Sequence, residues 1–91
     1  MIERKLFITN KVGLHARPAS LFVQVASKCS SDIMVKNLTT SSNPINAKSI
    51  ISVLTLGVMQ GHEILIQANG SDEADAIERL AQLVLGNFGE S

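Results

Sequence analysis

With 91 residues, the chain is expected to form one domain over 1–91, able to bury only about 60–65% of its unfolded surface. A composition that is 45% apolar supplies a core for that size, whereas the lack of Trp and Tyr excludes an aromatic stacking platform for single-stranded nucleic acid. The single cysteine, Cys29, excludes a disulfide framework or a Cys-rich zinc site and reads as a reduced thiol in the core or at a helix end. The net charge is zero, but residues 1–48 carry Arg4, Lys5, Lys11, Arg17, Lys28, Lys36 and Lys48 against Glu3 and Asp32. Residues 49–91 carry Arg79 against Glu63, Asp72, Glu73, Asp75, Glu78 and Glu90. That gradient suits docking on acidic protein surfaces, and no basic cluster is dense enough for nucleic acid. The longest apolar stretch, Ile50 to Met59, is broken by Ser52 and Thr55 and is too short to span a bilayer. The start Met1-Ile2-Glu3-Arg4-Lys5 has no signal-peptide core, so a cytoplasmic location without membrane insertion is expected.

In chain order, residues 2–8 read as a strand, and residues 16–28 as a helix with Leu21, Phe22, Val25 and Ala26 at helical spacing. Residues 32–37 alternate, with Ile33 and Val35 on one face. The segment from Leu38 to Ile45 is rich in Thr, Ser and Asn and reads as a turn followed by a short edge strand, with Pro44 limiting its pairing. A second helix is predicted from Asn46 to Val58, with Asn46 or Ser49 as N-cap and Gly57 or Gly61 as its stop. Residues 63–68 alternate again, Ile64 and Ile66 opposite Leu65. Asn69-Gly70 signals a turn. Asp72 and Glu73 then open a third helix through Ile77, Leu80, Ala81, Val84 and Leu85 to Gly86. The order β-α-β-β-α-β-α implies an α+β fold with helices on one face of an antiparallel sheet.

Two stretches carry chemistry. Gly13-Leu14-His15-Ala16-Arg17-Pro18 places an imidazole where an extended segment meets a helix, with a guanidinium two residues on. Pro18 fits a first helical turn, where N–H groups have no intrahelical partner. Those free N–H groups and the positive end of the helix dipole make an anion site beside His15. The same field disfavours a cationic imidazole, so a neutral, nucleophilic His15 is expected, and Arg17 would hold the phosphoryl group it accepts. The competing reading is an ordinary surface histidine at a loop–helix junction, with or without a capping role. His62, between Gly61 and the strand from Glu63, reads as an exposed turn residue.

In the second stretch, Ser49 follows Lys48 and precedes an apolar helix; a phosphate on an N-cap serine favours the helix. Ile50, Ile51 and Leu54 share one face, while Val53 and Leu56 turn to the core. That face is either a partner surface or part of a helix buried on most sides. The chain has neither a phosphate-binding GxxxxGK[ST] loop nor a metal-ligand cluster, so no cofactor and no metal are expected.

Gly13-Leu14-His15-Ala16-Arg17-Pro18-Ala19, with Lys48-Ser49-Ile50-Ile51 downstream and Gly61 and Glu63-Ile64 beyond, resembles the HPr family. These are the histidine-containing phosphocarriers of the phosphoenolpyruvate-dependent sugar phosphotransferase system. The resemblance implies an open-faced β-sandwich, a four-stranded antiparallel sheet in order 1-4-2-3 covered by three helices. It implies that enzyme I phosphorylates His15 at Nδ1, that Arg17 neutralises the phosphate, and that the EIIA domains of sugar permeases receive it. It further implies a monomer whose partners dock on Ser20, Lys48, Ile50, Ile51 and Leu54, and a regulatory phosphosite at Ser49. An HPr kinase/phosphorylase would act on that serine, and a transcriptional regulator would read it. Against the family pattern, the loop from Asn37 to Asn46 is longer, and Ser52 stands where serine-phosphorylated members commonly have glycine. Val12 stands where many members have a small polar residue. Ile8-Thr9-Asn10-Lys11 and Asn46-Ala47-Lys48 are also similar to the nitrogen-related branch. A purely regulatory module acting through Ser49 is the alternative, and the pairing of His15 with Arg17 speaks against it.

Overall fold

The structure is a computed structural model and describes residues 1–90. Alternation along three strands decides which sheet face is covered. In β1 (Ile2–Phe7), β4 (Glu63–Asn69) and β2 (Asp32–Asn37), register aligns Leu6, Ile64 and Asn37 in one row. Arg4, Ile66 and Val35 form the next row, then Ile2, Ala68 and Ile33. With β3 (Ile45–Asn46) on β2, the sheet is antiparallel in the order β1-β4-β2-β3, as expected. Ile33, Val35, Ile64, Ile66 and Ala68 are buried beneath α1 (Ala16–Lys28), α2 (Ile50–Thr55) and α3 (Glu73–Leu85). Phe22, Ala26, Val53, Ala76, Leu80 and Val84 fill the space from the helix side. Among the described residues no helix covers the opposite face. There Leu65 lies in register between Lys5 and Lys36 and is only 8% exposed, which fits aliphatic lysine stems lying over it.

The second helix is shorter than the predicted span from Asn46 to Val58. Ile45 and Asn46 pair with Val35 and Met34, and the Ala47 N–H bonds to the Ile33 carbonyl at 2.9 Å. Asn46 Oδ1 then accepts the Lys48 N–H at 2.9 Å, which turns the chain. Ser49 is therefore the cap; its Oγ accepts the Ser52 N–H at 3.3 Å. Past Thr55 the chain leaves the helix at Leu56 and bends at Gly57, where φ is +59°. The predicted third helix is present. It is followed by a 3-10 turn, Asn87–Gly89, which the sequence reading did not anticipate and whose Phe88 is buried.

Candidate functional site

His15 is the N-cap of α1, with extended dihedrals of φ −136° and ψ 154° and no capping bond from its ring. The imidazole is exposed and is not used by the helix, unlike the capping role weighed above. The N–H groups of Ala16 and Arg17 have no acceptor among the described residues. Ala16 has φ +50°, a left-handed conformation that costs a non-glycine residue about 1–3 kcal/mol and tends to sit at functional sites. Upstream, Leu14 is buried and its N–H bonds to the Val58 carbonyl at 3.0 Å. Gly13 has φ +64°, and a Cβ there would lie 2.2 Å from the Val58 oxygen, so this position admits no side chain. The loop before His15 is thus pressed against the segment that follows α2. Arg17 is exposed and lines a cleft of about 630 Å³ with Lys11, Val12, Gln60 and Glu90; His15 is not part of that lining. A second cleft, between α1 and α3, lies near Lys28, at the far end of α1 from His15.

The remaining candidates fall into two groups. Ser20 is exposed one turn from the start of α1, and its Oγ accepts from Gln24 Nε2 at 3.2 Å. Ile50, Ile51 and Leu54 are 39%, 74% and 41% exposed, while Val53 is fully buried, so α2 is not enclosed on most sides. Ser49 is half-buried at the start of that helix. Lys48 is different: its ammonium donates to the Cys29 carbonyl at 2.8 Å. There it compensates the negative end of α1. Cys29 closes the same helix and is buried; loss of solvation pushes its thiol pKa up, with the nearby Asp72 charge adding to the effect. Among the described residues, no three His, Cys, Asp or Glu side chains gather as a metal set.

Three polar arrangements escaped the sequence reading. Asn37 is fully buried, with Oδ1 accepting from Thr39 and Thr40 N–H and Nδ2 donating to the Leu56 carbonyl and to His62 Nδ1. His62 Nδ1 also accepts the Met59 N–H at 3.1 Å, so the ring proton sits on Nε2. His62 is half-buried in this network rather than being an exposed turn residue. The available signal was Asn37 itself, two residues past Val35 and in phase with the apolar face. Asp72, the N-cap of α3, accepts from the Ser30 and Ser31 N–H groups, both at 2.9 Å, and from the Ser31 hydroxyl. The third is buried Asn10, which bonds to the Gly13 carbonyl and to Glu90.

Comparison with known proteins places this geometry. The chain is 40% identical over 84 residues to the HPr-like protein Crh of Bacillus subtilis, covering 92% of this chain and 95% of Crh. It is also 40% identical to the multiphosphoryl transfer protein of Haemophilus influenzae over 92% of this chain, but spans only 17% of that protein's length. The crystal structure of HPr-C-His from Thermoanaerobacter tengcongensis superposes with a TM-score of 0.94 at 48% identity, covering 100% of this chain and 99% of that one. A crystal structure of an HPr dimer from the same organism gives 0.77 at 49% identity, over 99% of this chain and all of that one. Residues 2–85 match the family described as PTS HPr component phosphorylation site, and the chain belongs to that family, the HPr phosphocarriers of the phosphotransferase system.

Proposed function

We propose that His15 is the residue that carries the phosphoryl group, taken from phosphorylated enzyme I and passed to the EIIA domains of sugar permeases. The observation that carries this reading is an exposed N-cap imidazole, without a capping bond, beside the free N–H groups of Ala16 and Arg17. The lone pair of an imidazole nitrogen forms the new P–N bond while the bond from phosphorus to the donor atom of enzyme I breaks and leaves its electron pair on that donor. The transferred group gains the positive end of α1, and the Arg17 guanidinium is within the same turn to bind it. Exposed Ile50, Ile51 and Leu54, together with Ser20, form the surface that partners grip; Lys48 supports it by fastening α2 to the end of α1. One chain holds all of these groups, which supports a monomer as the working unit, whereas a relative of 49% identity crystallises as a dimer; a sedimentation mass decides between the two.

Incubation with phosphoenolpyruvate and enzyme I is expected to place acid-labile phosphate on the wild type and none on His15→Ala. Arg17→Ala is expected to fold normally and to transfer on the order of 10²-fold more slowly, as for loss of one charge-stabilising donor. Labelling of His15→Ala at the wild-type level would overturn the assignment.

A second reading concerns regulation. The 40% identity to an HPr-like protein, and Ser49 at the cap of the exposed helix, support Ser49 as a phosphosite for an HPr kinase/phosphorylase. The phosphorylated form would then be read by a transcriptional regulator.

A further inference from the structure

The loop that delivers His15 is held from outside its own stretch of sequence. Asn10 is 4% exposed, and its carboxamide nitrogen donates to the Gly13 carbonyl at 3.0 Å and to Glu90 Oε1 at 3.2 Å. The Gly13 N–H returns to the Asn10 carbonyl at 3.3 Å, so residues 10–13 close a turn that is pinned twice. Asn10 Oδ1, meanwhile, is buried with no partner among the described residues. An unpaired buried acceptor loses its solvation with nothing in return, so only strong bonds elsewhere on the side chain keep it there. Rotating the carboxamide would set that oxygen against two acceptors, so the two donated bonds fix its orientation.

Glu90 is itself fixed. Phe88 buries its ring at 2% exposure, and the Glu90 N–H bonds to the Asn87 carbonyl at 2.9 Å. The Thr9 hydroxyl donates to Asn87 Oδ1 at 2.7 Å. The 3-10 turn is therefore tied to Thr9 and Asn10, immediately before the segment that leads through Gly13 and Leu14 to His15. In-line transfer needs the ring nitrogen aligned with the bond that breaks at phosphorus, and a misplacement of about 1 Å costs on the order of 10²-fold in rate.

We propose that Asn10 and Glu90 are positioning residues for phosphoryl transfer. The Glu90 carboxylate holds the Asn10 carboxamide, which holds the turn that sets the height and angle of His15. Neither residue touches the reacting atoms, and the assignment rests on the His15 reading above.

The test is rapid-quench transfer from phosphorylated enzyme I to the full chain, at rising carrier concentration, with a thermal melt of each variant. Glu90→Ala is expected to lower the saturating rate about tenfold. The half-saturating concentration should stay unchanged, because the exposed face of α2 is untouched. Glu90→Gln keeps a carbonyl acceptor and is expected to recover most of the rate. Asn10→Asp has no side-chain hydrogen to donate and is expected to fall at least as far as Glu90→Ala; the surface variant Glu90→Ala carries the test alone if Asn10→Asp fails to fold. A saturating rate for Glu90→Ala equal to wild type overturns the proposal. So does a loss confined to half-saturation, or a Glu90→Gln no better than Glu90→Ala. If the wild type takes no phosphate, or His15→Ala takes it, the His15 assignment falls and this one with it.

Discussion

Asp72 shows what one carboxylate does in this molecule. It sits at the start of α3, yet its oxygens accept hydrogen bonds from the chain just past the end of α1. The Ser31 hydroxyl, above all, and the Ser30 and Ser31 N–H groups hold its carboxyl pKa down to about 2. Because the folded value lies below the unfolded one, its contribution is fully present above about pH 4 and is lost as pH falls towards 2. Glu73 acts in the same direction, its carboxyl pKa lowered first by the bond from the Gly70 N–H. The melting temperature of wild type is expected to drop more steeply between pH 4 and pH 2 than that of Asp72→Asn, which starts lower. Parallel curves for the two would show that the latch contributes nothing. At this scale the sequence was only half legible. The positions of His15, Arg17 and Ser49 at helix starts follow from local spacing, and the structure has them there. The partners of Asn10, Asn37, Asp72 and Lys48 lie 19 to 80 residues away for their distant bonds, and no local pattern encodes such pairings.

The elements were more legible than their ends. The alternation of β2 and β4 and the helical spacing of α1 and α3 each reach over a whole element, and the sheet order follows from the resemblance. The predicted helix from Asn46 failed at its start because edge pairing with β2 overrides local preference at Ile45 and Asn46. What remains, Ile50–Thr55, divides sharply between two environments. Ile51 is 74% exposed and Val53 not at all. Ile51→Glu is therefore expected to leave the thermal melt within a few degrees of wild type while weakening transfer from enzyme I. Val53→Ala is expected to do the reverse, losing about 2–3 kcal/mol through lost burial and the cavity left behind. Circular dichroism melts beside transfer assays separate the two, and an unfolded Ile51→Glu would place that face in the core.

Across the whole molecule, charge and protection are both unevenly distributed. The cations Lys11 and Arg17 flank the His15 loop, whereas the acidic groups Glu73, Asp75 and Glu78 lie on α3. A negative charge at Ser49 therefore enters a surface proposed to meet acidic partners. Ser49→Asp adds about one charge where phosphate adds roughly two, and its carboxylate can still cap the helix. Slower His15 phosphorylation is expected at low salt, with the gap closing as salt rises; an equal rate at low salt would remove Ser49 from the electrostatics. Protection has its own geography. Strand β4 is paired on both edges and covered by helices, so its amide hydrogens should exchange with heavy water only when the entire chain opens. The Ala16 and Arg17 amides have nothing to release and should exchange within the first seconds of the same pulse. Phosphate on His15 would then register as a slowing at those two amides, with β4 unchanged, so isotope uptake reads the state of the carrier without any labelled phosphorus.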